Sequence, residues 1–253
     1  FFNLMIMTKY LFPGIVTVRT SSKRLPKKCL LPFGESNVLT HIINRAKFYK
    51  IEPIICTSTD HSDDIIESIA QEENVKYFGG HLKNKLRRWA DCVNYFQIEE
   101  FHTIDADDPF FDGFEMAASM KLLNEKKVDA VTPTKTSSSG AASVGYSFSS
   151  KFINKASDLF PGDIDTELVW NFLDKVEEIK KIVLPESSER KLKMRLTLDY
   201  EEDYWLLDSL RRILGNEVTR DKVDEFFIKN PDFYLINWFR NADYLENQKN
   251  KKS

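Results

Sequence analysis

Short apolar runs alternate with stretches of helical spacing through the first half of the chain. Residues 12–18 (FPGIVTV) form a nearly continuous apolar run, the pattern of a buried strand. Across 38–49, Leu39, Ile42, Ile43 and Ala46 recur at helical spacing. Residues 53–57 (PIICT) predict a second strand. Residues 60–73 predict a helix with Ile65, Ile66, Ile69 and Ala70 on one face and acidic residues in its first turn. The same alternation predicts strands at 75–78, 101–104 and 129–133, and helices at 86–96 and 114–123. Such an order implies an α/β fold, a sheet of parallel strands with helices on both faces. Ligands of these sheets lie beyond the carboxyl ends of the strands. That rule singles out the loop after Val18, the segment Thr57-Ser58-Thr59-Asp60, and the acidic run after Ile104.

The pattern changes further on. Residues 134–142 (TKTSSSGAA) are small and polar, as in a turn or loop. A strand at 144–148, a helix at 167–172 and a strand at 179–184 follow. The stretch 134–194 is therefore expected to leave the sheet and carry its own structure. Residues 195–198 (RLTL) predict a returning strand that ends at Asp199. Helices are expected at 204–214, 222–228 and 231–245, and the lysine-rich end NQKNKKS should fray.

Composition narrows the functional classes. The 253 residues suffice for one sizeable core, and 42% hydrophobic with 30% charged residues is a globular balance. The net charge of −3 carries no overall basic footprint, so nucleic acid is not an expected partner. A local basic cluster can still meet a small anion. The three cysteines (Cys29, Cys56, Cys92) and four histidines show neither CxxC nor HxxxH spacing. They read as buried free thiols of a reducing compartment and as structural imidazoles. The apolar N-terminus is interrupted by Lys9 and Pro13, and it has neither the length of a membrane span nor the features of a signal peptide. Phe1 to Ile6 reads as a dispensable extension, with Met7 an alternative start. A cytoplasmic protein with no membrane partner is the expectation.

The segment richest in chemistry is the loop between the first strand and the first helix. Arg19, Lys23, Arg24, Lys27 and Lys28 cluster around Ser21 and Ser22. Cations that neutralise charge, beside hydroxyls and backbone amides that bind oxygens, are what a triphosphate requires. The loop has no GxxxxGK[ST], so it is not a P-loop, and no GxGxxG follows the first strand, which argues against a dinucleotide redox fold.

The order Arg19…Ser22…Arg24-Leu25-Pro26…Lys28 resembles the signature loop of cytidylyltransferases that make CMP-activated acidic sugars. These are the CMP-sialic acid and CMP-Kdo synthetases and their spore-coat-polysaccharide, SpsF-type relatives. Thr57-Ser58-Thr59-Asp60 resembles that family's strand end, Gly80 through Arg88 its G…L-x-R segment, Asp107-Asp108-Pro109-Phe110 its D-x-P-L turn, and Arg195 to Asp199 with Asp203 its RLTVDxxxD ending. The resemblance implies a Rossmann-like three-layer sandwich of the nucleotide-diphospho-sugar transferase type, mostly parallel with an inserted segment. It also implies one domain over 8–253: a nucleotide-binding half at 8–133, an acceptor and dimerisation excursion at 134–194, and a returning strand with C-terminal helices at 195–253. Arg19, Ser22, Arg24 and Lys28 would then grip the phosphates of CTP, with Lys23 matching a basic position of the sialic-acid branch. Ser58 and Arg88 would lie near base and ribose. Asp107 and Asp199 would hold Mg²⁺, and two carboxylates completed by phosphate oxygens and water suit that ion. Read alone, Asp107 serves equally as a turn residue and Asp199 as a helix cap.

The implied reaction moves CMP from CTP to an acidic sugar and releases pyrophosphate. Other readings are a transferase for a polyol phosphate or phosphonate, or for another nucleotide, and an inactive nucleotide-binding protein. Retention of Lys28, Asp107 and Asp199 argues against the last. Asn84 stands where the family has an acid, and Asp105 where relatives carry an uncharged residue. Asp105 shares a face with Asp107 by the strand period and would bind metal, read an acceptor hydroxyl or amine, or pair with the basic loop. Asp163, Asp165 and Glu167 are explained by helix capping. A homodimer is implied, for which Phe160, Trp170 and Phe172 would serve if they do not pack in the core.

Overall fold

The computed structural model describes residues 11–134, 145–186 and 192–250. The readings of the N-terminal extension, of most of the polar segment after 134 and of the last three residues fall outside them.

In chain order the elements are β1 (Phe12–Thr17), a 3₁₀ turn (Lys28–Leu30), the small hairpin β2 (Pro32–Phe33) and β3 (Ser36–Asn37), α1 (Val38–Phe48), β4 (Ile51–Ser58), α2 (Asp64–Glu72), β5 (Lys76–Gly80) and α3 (Lys85–Tyr95). They continue with β6 (Glu100–Asp105), α4 (Gly113–Lys126), β7 (Ala130–Thr132), β8 (Ser147–Ser149), α5 (Ser150–Leu159), α6 (Trp170–Leu173) and β9 (Lys181–Val183). The C-terminal part holds α7 (Glu201–Leu214), α8 (Arg220–Lys229), a 3₁₀ turn (Phe233–Ile236) and α9 (Arg240–Asn250).

Seven strands form one sheet in the order β5-β4-β1-β6-β8-β7-β9. The pairs β4–β5, β1–β4, β1–β6 and β7–β9 are parallel, and β8 is antiparallel to both neighbours. The side-chain period of two sends alternate residues to opposite faces. Val16, Ile55 and Ile104 join a core with α1, α2, α4, α7 and α8, while Ile15, Ile54 and Phe101 join a second core with α3 and α5. The result is the expected mostly parallel, Rossmann-like three-layer α/β fold. Gly14 is required in β1 by close approach: a Cβ there would lie 2.6 Å from Ile51 and 2.8 Å from Ile104.

Four expectations are corrected. The stretch 134–194 does not leave the sheet, since β8 and β9 join the same sheet beyond β6 and on either side of β7. Residues 195–198 form no strand. They alternate Met194, Leu196 and Leu198 into the core, but their backbone is satisfied elsewhere: Leu198 N–H donates to Asp107 O (2.7 Å), and Asn237 Nδ2 donates to Arg195 O (2.8 Å). The helix expected over 231–245 is broken at Asn237, whose buried side chain also donates to Asp203 Oδ1 (2.9 Å). Ile65 is 47% exposed and lies off the buried face of α2.

The topology brings the chemistry together. Thr17, at the end of β1, is in register with Asp105 of β6 on one side and Cys56 of β4 on the other. The basic loop after β1 and the acidic turn after β6 therefore leave the sheet side by side, at the carboxyl ends of adjacent parallel strands.

Candidate active site

A cavity of about 760 Å³ opens at that edge, lined by the basic loop, the acidic turn, Asp199, the segment around Glu167 and Asn247 of α9. Lys28 is its pivot. The ammonium donates to Asp107 Oδ2 (2.7 Å), Asp199 Oδ1 (3.0 Å) and Leu198 O (2.8 Å), using all three of its protons. Burial works against that charge, but the two carboxylates outweigh it and hold the Lys28 pKa above its ordinary value. Lys28 is thus a fixed cation and not a base. Arg24 also reaches Asp199 Oδ1, at 2.5 Å. Burial alone would raise the Asp199 carboxyl, yet Lys28 and Arg24 bring it down to about 2.

Asp199 is aimed by a buried frame. Arg195 Nε and Nη2 donate to the two oxygens of Asp203 at 2.9 and 3.0 Å, and both side chains are fully buried. Asp203 Oδ2 also accepts from the backbone N–H groups of Asp199 (2.9 Å) and Tyr200 (3.0 Å), so Asp203 caps α7 and Asp199 is released from that task. The acidic turn is braced by α1: His41 Nε2 donates to Pro109 O (2.9 Å) and Arg45 Nε to Phe111 O (2.9 Å). Burial, the largest influence on His41, lowers its pKa to about 4 and keeps the ring neutral as that donor.

The basic loop has its own anchor. Thr20 donates from its N–H (2.7 Å) and hydroxyl (2.8 Å) to Asp63 Oδ1. Ser58 Oγ donates to Asp63 Oδ2 (2.5 Å), which ties the end of β4 to the same carboxylate. Arg24 lies against the rings of Tyr200 (5.3 Å) and Tyr244 (5.8 Å). Cys29 lines the cavity, but burial pushes its thiol up to about 11, so it is no nucleophile at neutral pH.

Of the residues singled out from sequence, Arg19, Ser22, Lys23, Arg24, Lys28, Asp105, Asp107 and Asp199 line this one cavity. Ser58 and Arg88 do not. Ser58 is 1% exposed and spent on Asp63, and Arg88 is fully buried, donating to the carbonyls of His81 (2.7 Å) and Leu82 (3.1 Å). Both support the site from beneath. Asp163 pairs with surface Lys83, and Asp165 Oδ1 accepts from Glu167 N–H (2.9 Å) ahead of α6, whose N-cap is Val169, so neither caps a helix as expected.

Glu167 is not a cap. It takes Arg19 Nη2 on Oε2 at 2.8 Å and faces the buried ammonium of Lys85 at 4.0 Å, and Lys85 also lies 3.5 Å from Asp105. Lys85 and Glu167 were missed as site residues. Their signal was Asn84, the departure from the family acid. Asn84 Nδ2 donates to the carbonyls of Phe160 (2.9 Å) and Gly162 (3.2 Å), which a carboxylate cannot do, and Oδ1 accepts from Arg87 N–H and Thr166 Oγ1. This clamp delivers Glu167 to Arg19. Phe160 and Trp170 pack against the second core, Phe160 edge-on to Phe172 at 5.1 Å, and Phe172 lines the cavity.

Comparison with known proteins agrees with this geometry. Residues 14–160 match the family described as Cytidylyltransferase. An uncharacterized protein of Methanocaldococcus jannaschii, MJ1063, is 26% identical over 88% of this chain and 93% of its own length. The spore coat polysaccharide biosynthesis protein SpsF of Bacillus subtilis is 28% identical over 39% of this chain and 43% of its own. Among solved structures, a cytidylyltransferase from Leptospira borgpetersenii superposes with a TM-score of 0.77 at 24% identity, covering 89% of this chain and 97% of that one. A CMP:2-keto-3-deoxy-manno-octonic acid synthetase complexed with CTP superposes with a TM-score of 0.59 at 12% identity, covering 83% and 100%. Sheet order, strand-end loops and the family match agree, and the chain belongs to the cytidylyltransferase family.

Proposed function

We propose that this protein transfers CMP from CTP to an acidic sugar of the 3-deoxy-2-ulosonic class, sialic-acid-like or Kdo-like, and releases pyrophosphate. The observation that carries the reading is the convergence of Lys28 and Arg24 with Asp107 and Asp199 in one cavity at the end of parallel strands. The names of two similar proteins, one acting in spore coat polysaccharide biosynthesis and one making a CMP-activated keto-deoxy sugar acid, favour a sugar-acid acceptor.

In this reading the acceptor hydroxyl oxygen attacks the α-phosphorus of CTP in line. The new O–P bond forms as the bond to the β-phosphate oxygen breaks, pyrophosphate carries the electron pair away, and the hydroxyl proton passes to water. Ser22, Lys23, Arg24 and Lys28 bind the phosphates and neutralise charge developing on the leaving group, while Arg19 is held by Glu167 toward the acceptor. Lys28, held as an ammonium by Asp107 and Asp199, adds positive charge beside the phosphates without taking the acceptor's proton. The donor set fits Mg²⁺: Asp107 and Asp199 already share one cation, the Lys28 ammonium, and both offer hard carboxylate oxygens. When bound there, the ion would supply Lewis-acid neutralisation of the phosphates. At the other end of the cavity, Lys85 and Arg19 supply positive charge for an acceptor carboxylate. Asp105 and Glu167 orient those cations and are placed to accept from sugar hydroxyls. A homodimer in the cytoplasm completes the proposal, and no helix among the described residues is long and apolar enough to cross a membrane.

Pyrophosphate release, measured with each nucleoside triphosphate against 3-deoxy-2-ulosonic acids, polyol phosphates and phosphonates, tests the reading. CTP with a ulosonic acid is the expected productive pair. Turnover only with a phosphorylated acceptor would overturn the acceptor class, and turnover only with another triphosphate would overturn the nucleotide.

A further inference from the structure

The acceptor end of the cavity sets two cations, Arg19 and Lys85, against three carboxylates, Asp105, Asp165 and Glu167. The two signs lie at different depths. The Lys85 side chain is 9% exposed and that of Arg19 27%, against 33% for Asp105 and 39% for Glu167, and Asp165 is exposed. A ligand entering this end therefore meets carboxylates first and cations beneath them. Burial works against the Lys85 charge, yet Asp105 and Glu167 outweigh it and hold the Lys85 pKa above its ordinary value, so the field at this depth is negative on balance.

Both signs have hydrogen-bonding capacity to spare. Lys85 lies over the Trp89 ring at 5.0 Å and makes one hydrogen bond, to Asp105 Oδ1 at 3.5 Å. Two of its three protons have no acceptor among the described residues, whereas Lys28 uses all three. A buried ammonium in that state calls for an anion. Asp105 shows the opposite need: Oδ1 has only the long contact with Lys85, and Oδ2 has no hydrogen-bond partner among the described residues. An acceptor with a carboxylate alone would serve Lys85 but add a fourth negative charge beside two positive ones.

We propose that the acceptor is a zwitterion: a sugar acid whose carboxylate lies on Lys85 and which also carries a primary ammonium, read by Asp105. The inference rests on the transferase reading above and narrows its acceptor class. An ammonium brings protons for the unclaimed oxygen of Asp105 and restores the charge balance that the acceptor's carboxylate upsets. A hydroxyl in its place donates one proton and leaves the negative excess standing. The charge-assisted bond is the stronger of the two, so Asp105 distinguishes an amine from the hydroxyl it replaces.

Pyrophosphate release from CTP, compared between 3-deoxy-2-ulosonic acids and counterparts in which one hydroxyl is replaced by a primary amine, tests the inference. An amino counterpart should exceed its parent acid in kcat/KM by about tenfold or more, and N-acetylation of the amine should erase that preference. Asp105→Asn should lower kcat/KM far more for the amino counterpart than for the parent acid, whereas Lys85→Met should raise the KM of both. Circular dichroism identifies a variant that fails to fold, and acetylation of the acceptor then decides with the parental protein alone. Three results overturn the zwitterion and leave CTP transfer to a ulosonic acid standing: parent acids that equal every amino counterpart, a preference that survives acetylation, or one that survives Asp105→Asn. No turnover with either set of acids overturns the acceptor reading and this inference together.

Discussion

At one end of the cavity Arg24 pairs with Asp199 at 2.5 Å, and Lys28 with Asp199 at 3.0 Å and with Asp107 at 2.7 Å, on a frame of fully buried Arg195 and Asp203. At the other end Arg19, Lys85, Asp105 and Glu167 are joined by one close pair and by looser contacts of 3.5 and 4.0 Å. The first end is braced at every member by α1, α7 or the loop anchor at Asp63. At the second, Lys85 and Asp105 sit on α3 and β6, and Glu167 hangs on the Asn84 clamp and an irregular segment before α6. The difference matches two tasks. Triphosphate geometry is the same for every acceptor, so it suits a rigid site. The acceptor is the variable partner, so its end is built from parts that vary at small cost to the fold.

The sharpest way to break this comparison is to remove a charge from the rigid end. Lys28→Ala or Asp199→Ala should lower pyrophosphate release by roughly 10²–10³-fold or more while the circular dichroism spectrum stays that of the parent. Near-parental rates in either variant would mean that the charge cluster is structural. A smaller effect belongs to the loose end. Glu167→Gln should raise the acceptor KM by about tenfold, the loss expected for one charge-assisted contact, with the KM for CTP moving much less. Equal shifts in both constants would erase the distinction between the two ends.

Smaller still is the role of α9, which lies beyond the matched residues 14–160. Tyr244 is a positioning residue that stacks on Arg24 and, at 5.4 Å, on Arg195. Loss of one such contact is worth about 1 kcal/mol, so Tyr244→Ala should raise the KM for CTP several-fold and Tyr244→Phe should restore it. Failure of phenylalanine to restore it would assign Tyr244 a hydrogen-bonding role instead. The mildest test is pH. His41 has a folded-state pKa of about 4, below its ordinary 6.5, so the folded protein binds fewer protons there than the unfolded chain. That contribution is complete above pH 6.5, falls as pH drops, and is gone below about 4. Urea unfolding from pH 7 to 4 should show a decline that is absent in His41→Gln. An identical decline in the variant would remove His41 as the brace of the acidic turn.

The rigid end was also the legible end, for a physical reason. All of its side chains but Asp199 lie in the loops that leave β1 and β6, and the period of two with flanking helices locates those strand ends from apolar spacing alone. Arg24, Lys28 and Asp107 follow from that spacing. Asp199 follows from the resemblance of Arg195 to Asp199 to the family's RLTVDxxxD ending; the apolar alternation before it reports one-sided burial and not a ladder. Ser58 at the end of β4 and Arg88 in α3 carry the right chemistry, yet spacing does not say that Asp63 and two carbonyls already claim them. Glu167 could not be found at all, because its partner Arg19 lies 148 residues away and the clamp between them runs through Asn84. The return of β8 and β9 to the sheet was hidden for a similar reason: both strands were read from the sequence, but the spacing within a strand does not say which sheet it joins.

The central claim is transfer of a cytidylyl group to a sugar acid. Mass spectrometry of the products formed from CTP, Mg²⁺ and a mixture of 3-deoxy-2-ulosonic acids tests it most directly. The account predicts a CMP-sugar ester and pyrophosphate in equal amounts. Recovery of CTP unchanged from a folded protein with every such acid, while another acceptor class is converted, would contradict it.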